Sequence, residues 1–453
     1  MKEPTVESMG ERKKHNALSG TVRARIFCVV FVCLVCVAAE ITARFAFQET
    51  DTLSQILSVL ERDPVLLWRL RSHLHTLFQG AALKTGRMGL RIRDTDISVS
   101  KKKGNFRIVC LGGSPTFGWG LEIEESYPFR LELFLKQKYP QGPCIEVINA
   151  GVIGYSSYQG LQFLKRDILK LAPDLITIEY LANDIDKYRF FRNDDKSDKE
   201  TGVDNTLLAV SSNLLERSAF FTLLRRVLTR RTNTRLYGTG TQGYKDKRRV
   251  SEQEYKDNLI EIIRLAREKG IKVIFLKMKV ALPFEPQEIT SFAKGRAEKH
   301  ISRSRLSVAQ GDYLKAIFEL EQAVALYPYS NKAFYYLGQC YSKVGKMRIS
   351  EQYFQKAKEL ELLECAIISR SYNRAMQEVA ERHGVPLVDT VSLFDGFAKK
   401  HHQDVFINPG YDVVHLNSLG HALISETLAD IIVQAGYIPS WQQDEIEQRN
   451  PRT

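Results

Sequence analysis

Cysteine is scarce in this chain and, outside one apolar run, carries no metal or redox pattern. Three of the seven, Cys28, Cys33 and Cys36, fall inside one apolar run. Cys110, Cys144, Cys340 and Cys365 show no C-x-x-C spacing. A zinc ribbon, a thioredoxin-like pair and a dense disulfide framework are therefore excluded, and buried free thiols are expected. Metal-ligand motifs are missing as well. No H-E-x-x-H occurs, and the adjacent His401 and His402 point apart in most backbones, as a surface pair would. No metal or other cofactor is expected. Basic charge is plentiful but not gathered: 65 Lys and Arg against 53 Asp and Glu leave a net charge of +12, dispersed along the chain. With no zinc-finger, RNA-recognition or helix-turn-helix signature, nucleic acid is not an expected partner. Long apolar stretches are nearly absent too, with a single exception near the amino terminus.

That exception runs over residues 26–39, fourteen uncharged positions rich in Val, Cys and Phe. A bilayer takes about 20 residues to span, so the expected segment extends over residues 26–47. Lys2, Arg12, Lys13, Lys14, Arg23 and Arg25 precede it. The positive-inside rule places residues 1–25 in the cytoplasm as a basic tail and everything after 47 outside it. A cleaved signal peptide is the competing reading, with Val37-Ala38-Ala39 as a loose cleavage site.

The 453 residues leave room for more than one domain. Residues 48–103 form an extension of mixed character. Within it, residues 64–79 carry leucines at helical spacing, and residues 88–93 alternate like an edge strand. Strand and helix patterns then alternate. Strands are predicted at 106–111, 145–149, 175–180, 271–276 and 386–390, with helices at 127–138, 158–169, 252–269, 372–383 and 420–429. This alternation predicts an α/β fold with a parallel sheet. A polar stretch at 186–250 interrupts it, with one amphipathic helix expected at 214–228.

A second interruption is periodic. Gly311 and Gly345, Leu320 and Phe354, and Ala323 and Ala357 each stand 34 residues apart. That is the tetratricopeptide period, and residues 297–364 resemble two such repeats inserted in the α/β domain. An ordinary helical hairpin is the plainer alternative. Repeats of this kind offer a groove to a partner, so a protein partner at the insert is one expectation.

Four polar stretches, two of them rich in glycine, follow predicted strands or lie late in the chain. They are Gly112-Gly113-Ser114-Pro115-Thr116, Asn149-Ala150-Gly151-Val152-Ile153-Gly154, Asn183-Asp184, and Asp412-Val413-Val414-His415. Alone, Ser114 reads as a helix cap with Pro115 in the first turn, Gly151 and Gly154 as turn glycines, and His421 as a decoy for His415. Together they supply a hydroxyl, a base, a carboxylate three residues before that base, and amide donors. Carboxyl ends of parallel strands share one edge of a sheet, where these groups can converge. Here the chain resembles the SGNH (GDSL-type) hydrolases, over residues 87–194 and 251–430 apart from the insert. Two departures stand out: Gly113 replaces the usual Asp, and Leu181-Ala182 precede Asn183 where a Gly is frequent.

The resemblance implies a three-layer α/β/α fold, split by the insert into segments 104–296 and 365–453, and a serine acyl-ester hydrolase. Ser114 would be the nucleophile, His415 its base and Asp412 the orienting carboxylate. Ser114 N–H, Gly151 N–H and the Asn183 amide would form the oxyanion hole. The α/β-hydrolase elbow does not fit. It needs a donor N–H on the residue after the serine, and that residue here is Pro115. The expected substrates are O-acyl or O-acetyl groups on cell-envelope glycans, attacked outside the cytoplasmic membrane by hydrolysis or transfer. The alternatives are a lipid or small-ester esterase, or an assembly scaffold that recruits partners through the insert.

Overall fold

The computed structural model describes residues 7–46, 52–187, 190, 195–201, 247–282, 284, 286–409 and 412–439. The helix expected at 214–228 lies outside them. The first helix, α1 (Glu7–Ala46), falls in a different compact unit from the other described elements. Its stretch Ala24–Thr42 is long and apolar enough, by length and composition, to cross a membrane, and none of it is buried. Nineteen helical residues reach about 28 Å, close to the thickness of a bilayer's hydrocarbon core.

The extension forms hairpins where the leucine spacing predicts a helix at 64–79. After α2 (Thr52–Val59), strands β1 (Leu60–Asp63) and β2 (Leu67–Leu70) pair antiparallel, as do β3 (His75–Phe78) and β4 (Ala81–Lys84). Asp63 Oδ1 accepts the N–H groups of Val65 and Leu66 and closes the first turn. Gln79 and Gly80 both adopt positive φ, as a two-residue I′ turn requires. The leucines were periodic by coincidence: Leu66, Leu67 and Leu70 are buried, but Leu77 is exposed. Nor is 88–93 a strand. It makes one bridge, Thr85 to Arg91, because Arg91 turns inward toward backbone carbonyls.

The parallel sheet is as the sequence pattern implies. Its strands are β5 (Asn105–Gly112), β6 (Cys144–Gly151), β7 (Leu175–Glu179), β8 (Lys272–Leu276) and β9 (Leu387–Val388), ordered β6-β5-β7-β8-β9. All neighbours run parallel. Alternation along β5 divides the core. Phe106, Ile108 and Cys110 face one side, packed with Tyr127, Leu131 and Leu135 of α4 (Tyr127–Lys138). Val109 and Leu111 face the other, with Leu161 and Leu164 of α5 (Ser157–Arg166). Both faces are covered, which produces three layers, and each fully buried aliphatic side chain contributes roughly 1.5–3 kcal/mol.

Three short helices sit at the sheet's carboxyl edge or beyond it: α3 (Ser114–Phe117), α6 (Ala182–Ile185) and α7 (Asp198–Thr201). The long α8 (Glu252–Glu268) begins at the expected capping box, Ser251 and Glu254 bonding reciprocally. Four helices follow β8: α9 (Ser291–Ala309), α10 (Tyr313–Leu326), α11 (Asn331–Lys343) and α12 (Met347–His383). The helix expected at 372–383 is the end of α12, which runs unbroken through residue 364. Gly311 and Gly345 take positive φ at equivalent turns. The 34-residue spacing thus marks the same corner of two helical hairpins, around a small core of Ala316, Leu320, Ala323 and Leu337. The chain closes with α13 (Thr390–His401) and α14 (Ser418–Gln434). Every described cysteine is a free thiol; Cys110 and Cys340 are buried and Cys365 partly so, but Cys28, Cys33 and Cys36 on α1 and Cys144 at the start of its strand are exposed.

One carboxyl lies buried in the core beneath the sheet's carboxyl edge. Glu179, the last residue of β7, accepts Thr116 Oγ1 at 2.6 Å, and Thr116 Oγ1 stands 3.1 Å from the Tyr127 hydroxyl. Burial pushes the Glu179 carboxyl up to about 7, and the hydrogen bond from Thr116 opposes this only in part. Between the unfolded value and about 7 the unfolded chain ionises while the native one does not. Stability from this group is therefore full below the unfolded pKa and lost as pH rises through that window. Glu179→Gln removes the titration. Its stability relative to wild type is expected to improve by roughly 3 kcal/mol between pH 4.5 and pH 8, read by denaturant unfolding at the two pH values. An offset independent of pH would show that the carboxyl does not titrate in this way.

Candidate active site

The order β6-β5-β7 makes the sheet reverse direction beside β5, and ligands of open α/β sheets bind at such a switch point. Gly112 pairs there with Gly151 on one side and Glu179 on the other. Ser114 follows β5 and Asn183 follows β7, so the two flank the crevice.

Ser114 does not cap its helix. Gly113 is the N-cap, Ser114 the first helical residue and Pro115 the second, and no side chain caps the turn. The hydroxyl is left to His415, whose Nε2 accepts Ser114 Oγ–H at 2.7 Å. Nδ1–H of the same ring donates to Asp412 Oδ2, also at 2.7 Å. A carboxylate only accepts, so the proton sits on Nδ1 and Nε2 is the free base. Asp412 Oδ1 takes the N–H groups of Val414 and His415 at 3.1 and 2.9 Å. Burial raises the Asp412 carboxyl, but the hydrogen bonds it accepts from His415 and Val414 outweigh it and hold the group below the usual range. The triad is thus built from one turn after β5 and one loop before α14, with Ser114 and His415 301 positions apart in the chain.

The backbone donors differ from expectation at one position. Gly151 N–H is spent on Asn149 Oδ1 at 3.0 Å. Its missing side chain serves packing, since a Cβ there would fall 2.2 Å from Phe117 N. Gly151 lets α3 lie directly on β6 and supplies no donor to the crevice. Three residues on, Gly154 has φ +77, and neither its N–H nor that of Ser114 has a partner among the described residues. Asn183 Nδ2 donates one hydrogen to Tyr155 O at 3.0 Å and keeps its second. A Cβ on Gly113 would stand 2.8 Å from Asn183 Nδ2 and 3.5 Å from Tyr155 O. The glycine at 113 therefore admits the Asn183 amide against the Ser114 turn.

Other residues of these stretches have structural duties. Asp184 is wholly buried and accepts both N–H and Oγ–H of Ser157, which fastens the start of α5. Burial pushes its carboxyl up to about 7. His421 Nδ1 accepts Tyr127 N–H at 3.0 Å, and burial drives its ring down to about 3, so it stays neutral. Sequence reasoning missed Trp119. Its ring stacks on His415 at 4.5 Å between centroids and 12° between planes. An aromatic flanked by Gly118 and Gly120 directly after the serine turn was the available signal.

No family model matches the chain, and no curated protein matches it. Among solved structures it is similar to LAE5, an alpha/beta hydrolase enzyme from the metagenome of Lake Arreo, at 15% identity and a TM-score of 0.37, covering 74% of this chain and 97% of that one. It is similar to Axe2, an acetylxylan esterase from Geobacillus stearothermophilus, at 13% and 0.34, covering 75% and 100%. A GDSL-like lipase from Bacteroides thetaiotaomicron follows at 13% and 0.30, covering 73% and 88%. Likeness of this strength decides nothing about chemistry, which rests on the geometry above.

Proposed function

We propose that this chain is a serine-dependent acyl-ester hydrolase of the SGNH type. The observation that carries this reading is the unbroken chain from Ser114 Oγ through the His415 ring to Asp412, two bonds of 2.7 Å each. In the mechanism, Ser114 Oγ attacks the ester carbonyl carbon as Nε2 takes its proton. Asp412 stabilises the imidazolium, and the electron-rich face of Trp119 lies parallel to it. Negative charge on the former carbonyl oxygen is met by Ser114 N–H, Gly154 N–H and the second amide hydrogen of Asn183. Collapse expels the alcohol, which takes the proton from Nε2. Water or a sugar hydroxyl then attacks the acyl-serine with His415 again as base.

Gly154 replaces Gly151 in this assignment because only its N–H is unspent. The substrates we favour are O-acyl or O-acetyl groups on cell-envelope glycans. The family resemblance supports them, as does an apolar helix behind a basic tail, which suits an anchor with residues 1–25 cytoplasmic and the catalytic domain outside. In this reading residues 297–364 are tetratricopeptide-like and hold a protein partner or deliver the substrate.

The full chain in detergent is expected to release p-nitrophenol from short acyl esters. Ser114→Ala should lower kcat by at least about a thousandfold, as loss of a triad member does elsewhere. Equal turnover by wild type and Ser114→Ala would end the hydrolase reading and leave the scaffold reading. Asn183→Ala is expected to cost roughly 3 kcal/mol of transition-state stabilisation, seen as a fall in kcat at little-changed KM. Gly154→Ala forces a side chain into the left-handed region, with its Cβ 2.5 Å from the Phe190 ring. A fall in kcat of roughly tenfold or more is expected in steady-state assays. Gly151→Ala should damage folding first, because its Cβ meets backbone.

A further inference from the structure

The loop between β6 and α5 presents three carbonyl oxygens in succession, and each is taken by a side-chain donor from a different part of the chain. Ile153 O accepts Trp68 Nε1–H at 3.0 Å. Gly154 O accepts Arg249 Nη1–H at 2.7 Å. Tyr155 O accepts Asn183 Nδ2–H at 3.0 Å. Trp68 comes from the extension, on β2, and Arg249 from the residues just before α8. Both are almost wholly buried, with the guanidinium carbon 5.0 Å from the Trp68 ring centroid. The same hairpin is sewn once more to the loop and once to α5, Tyr155 Oη–H donating to Trp68 O at 2.8 Å and Gln159 Nε2–H to Leu66 O at 2.6 Å.

Building on the hydrolase reading, we propose that Trp68 and Arg249 are positioning residues of the oxyanion hole. A peptide unit is planar, so holding Ile153 O fixes the direction of Gly154 N–H on the other side of the same bond. The indole N–H does this from a dry site, and a hydrogen bond to a carbonyl also polarises the N–H of that unit toward stronger donation. Arg249 pins the next peptide unit, so Gly154 is clamped on both sides at a φ of +77. The charge that does so is balanced: Arg249 Nη2 meets buried Asp198 at 2.9 Å, so the clamp adds no uncompensated buried ion. Asp198 N–H donates to Arg249 O at 2.8 Å, which closes the two ends of the long polar stretch at the base of this loop. A donor held this way needs no rearrangement when the oxyanion forms.

The test uses the full chain in detergent, with p-nitrophenyl acetate as substrate and an alkylboronic acid, which adds to the serine as a tetrahedral anion, as probe. Trp68→Phe keeps an aromatic ring and removes the N–H. It is expected to lower kcat by roughly 10- to 100-fold with KM changed less than about twofold, and to weaken the boronic acid by a similar factor. Arg249→Lys keeps the charge beside Asp198 and loses the fork; it should show the same split with a smaller loss. Thermal melts taken alongside separate this from unfolding, because a merely structural role would lower the melting temperature without weakening the boronic acid relative to the ester. Either variant, folded, with unchanged kcat and unchanged boronic acid affinity would overturn the proposal. If Trp68→Phe does not fold, Arg249→Lys decides by the same two readouts. Absence of Ser114-dependent turnover in wild type would instead mark failure of the hydrolase reading itself.

Discussion

The hydrogen bond between Ser114 Oγ and His415 Nε2 is the contact on which the site depends. Its partners are remote in sequence, so it forms only after the sheet is assembled and the late loop is laid across its carboxyl edge. That loop is fastened independently of the histidine ring. Phe406 and Leu416 bridge, Ile407 N–H donates to His415 O, and Asn417 Nδ2 donates to Asp404 O and Phe406 O. Ala281 N–H donates to Val413 O at 2.8 Å, which ties the loop to the segment after β8. Ring orientation then follows from Asp412 on one edge and Trp119 on one face. The imidazole is thus held by three neighbours, Ser114, Asp412 and Trp119.

The second dependence is on the amino-terminal extension, which holds the site from both sides. Trp68 reaches the loop that carries Gly154. Arg91 reaches the opposite flank: its guanidinium donates to Phe117 O, Gly118 O, Leu121 O and Ala82 O and lies over the Phe117 ring. Burial draws Arg91 down to about 10, so it remains a cation at neutral pH and its donors stay available. Carbonyls at the end of α3 have no helical partner, and one buried guanidinium satisfies several of them at once. A cation deep in the protein is stable here because it is surrounded by carbonyl oxygens rather than hydrocarbon.

Glycine serves two separate ends at this edge. At Gly151 and Gly113 the need is space: the backbone of Phe117 and the amide of Asn183 approach where a side chain would stand. At Gly154 the need is conformation as well, with a positive φ that turns the peptide between Ile153 and Gly154. Both kinds look the same in a sequence. This is why the motif Asn-Ala-Gly-Val-Ile-Gly marks the right loop while leaving undecided which of its glycines offers an N–H.

Several features followed from sequence alone because their causes are local. Apolar runs long enough for a strand buried on both faces, the capping box at Ser251, and the 34-residue recurrence each reflect forces acting over a few residues or one repeat. That Ser114, His415 and Asp412 meet was legible for a related reason. Strand ends of a parallel sheet share an edge, so polar groups placed there converge whatever lies between. What the tertiary structure alone decided concerns competition for the same groups. Leucines at helical spacing in 64–79 went into hairpins because Asp63 closes a turn and the buried face suits strands. Ser114 falls one residue inside its helix, which leaves its hydroxyl to His415, and Gly151 lost its N–H to Asn149. A hydrogen-bonding group can be spent only once, and the partner that claims it is set by which remote segments the fold brings within 3 Å.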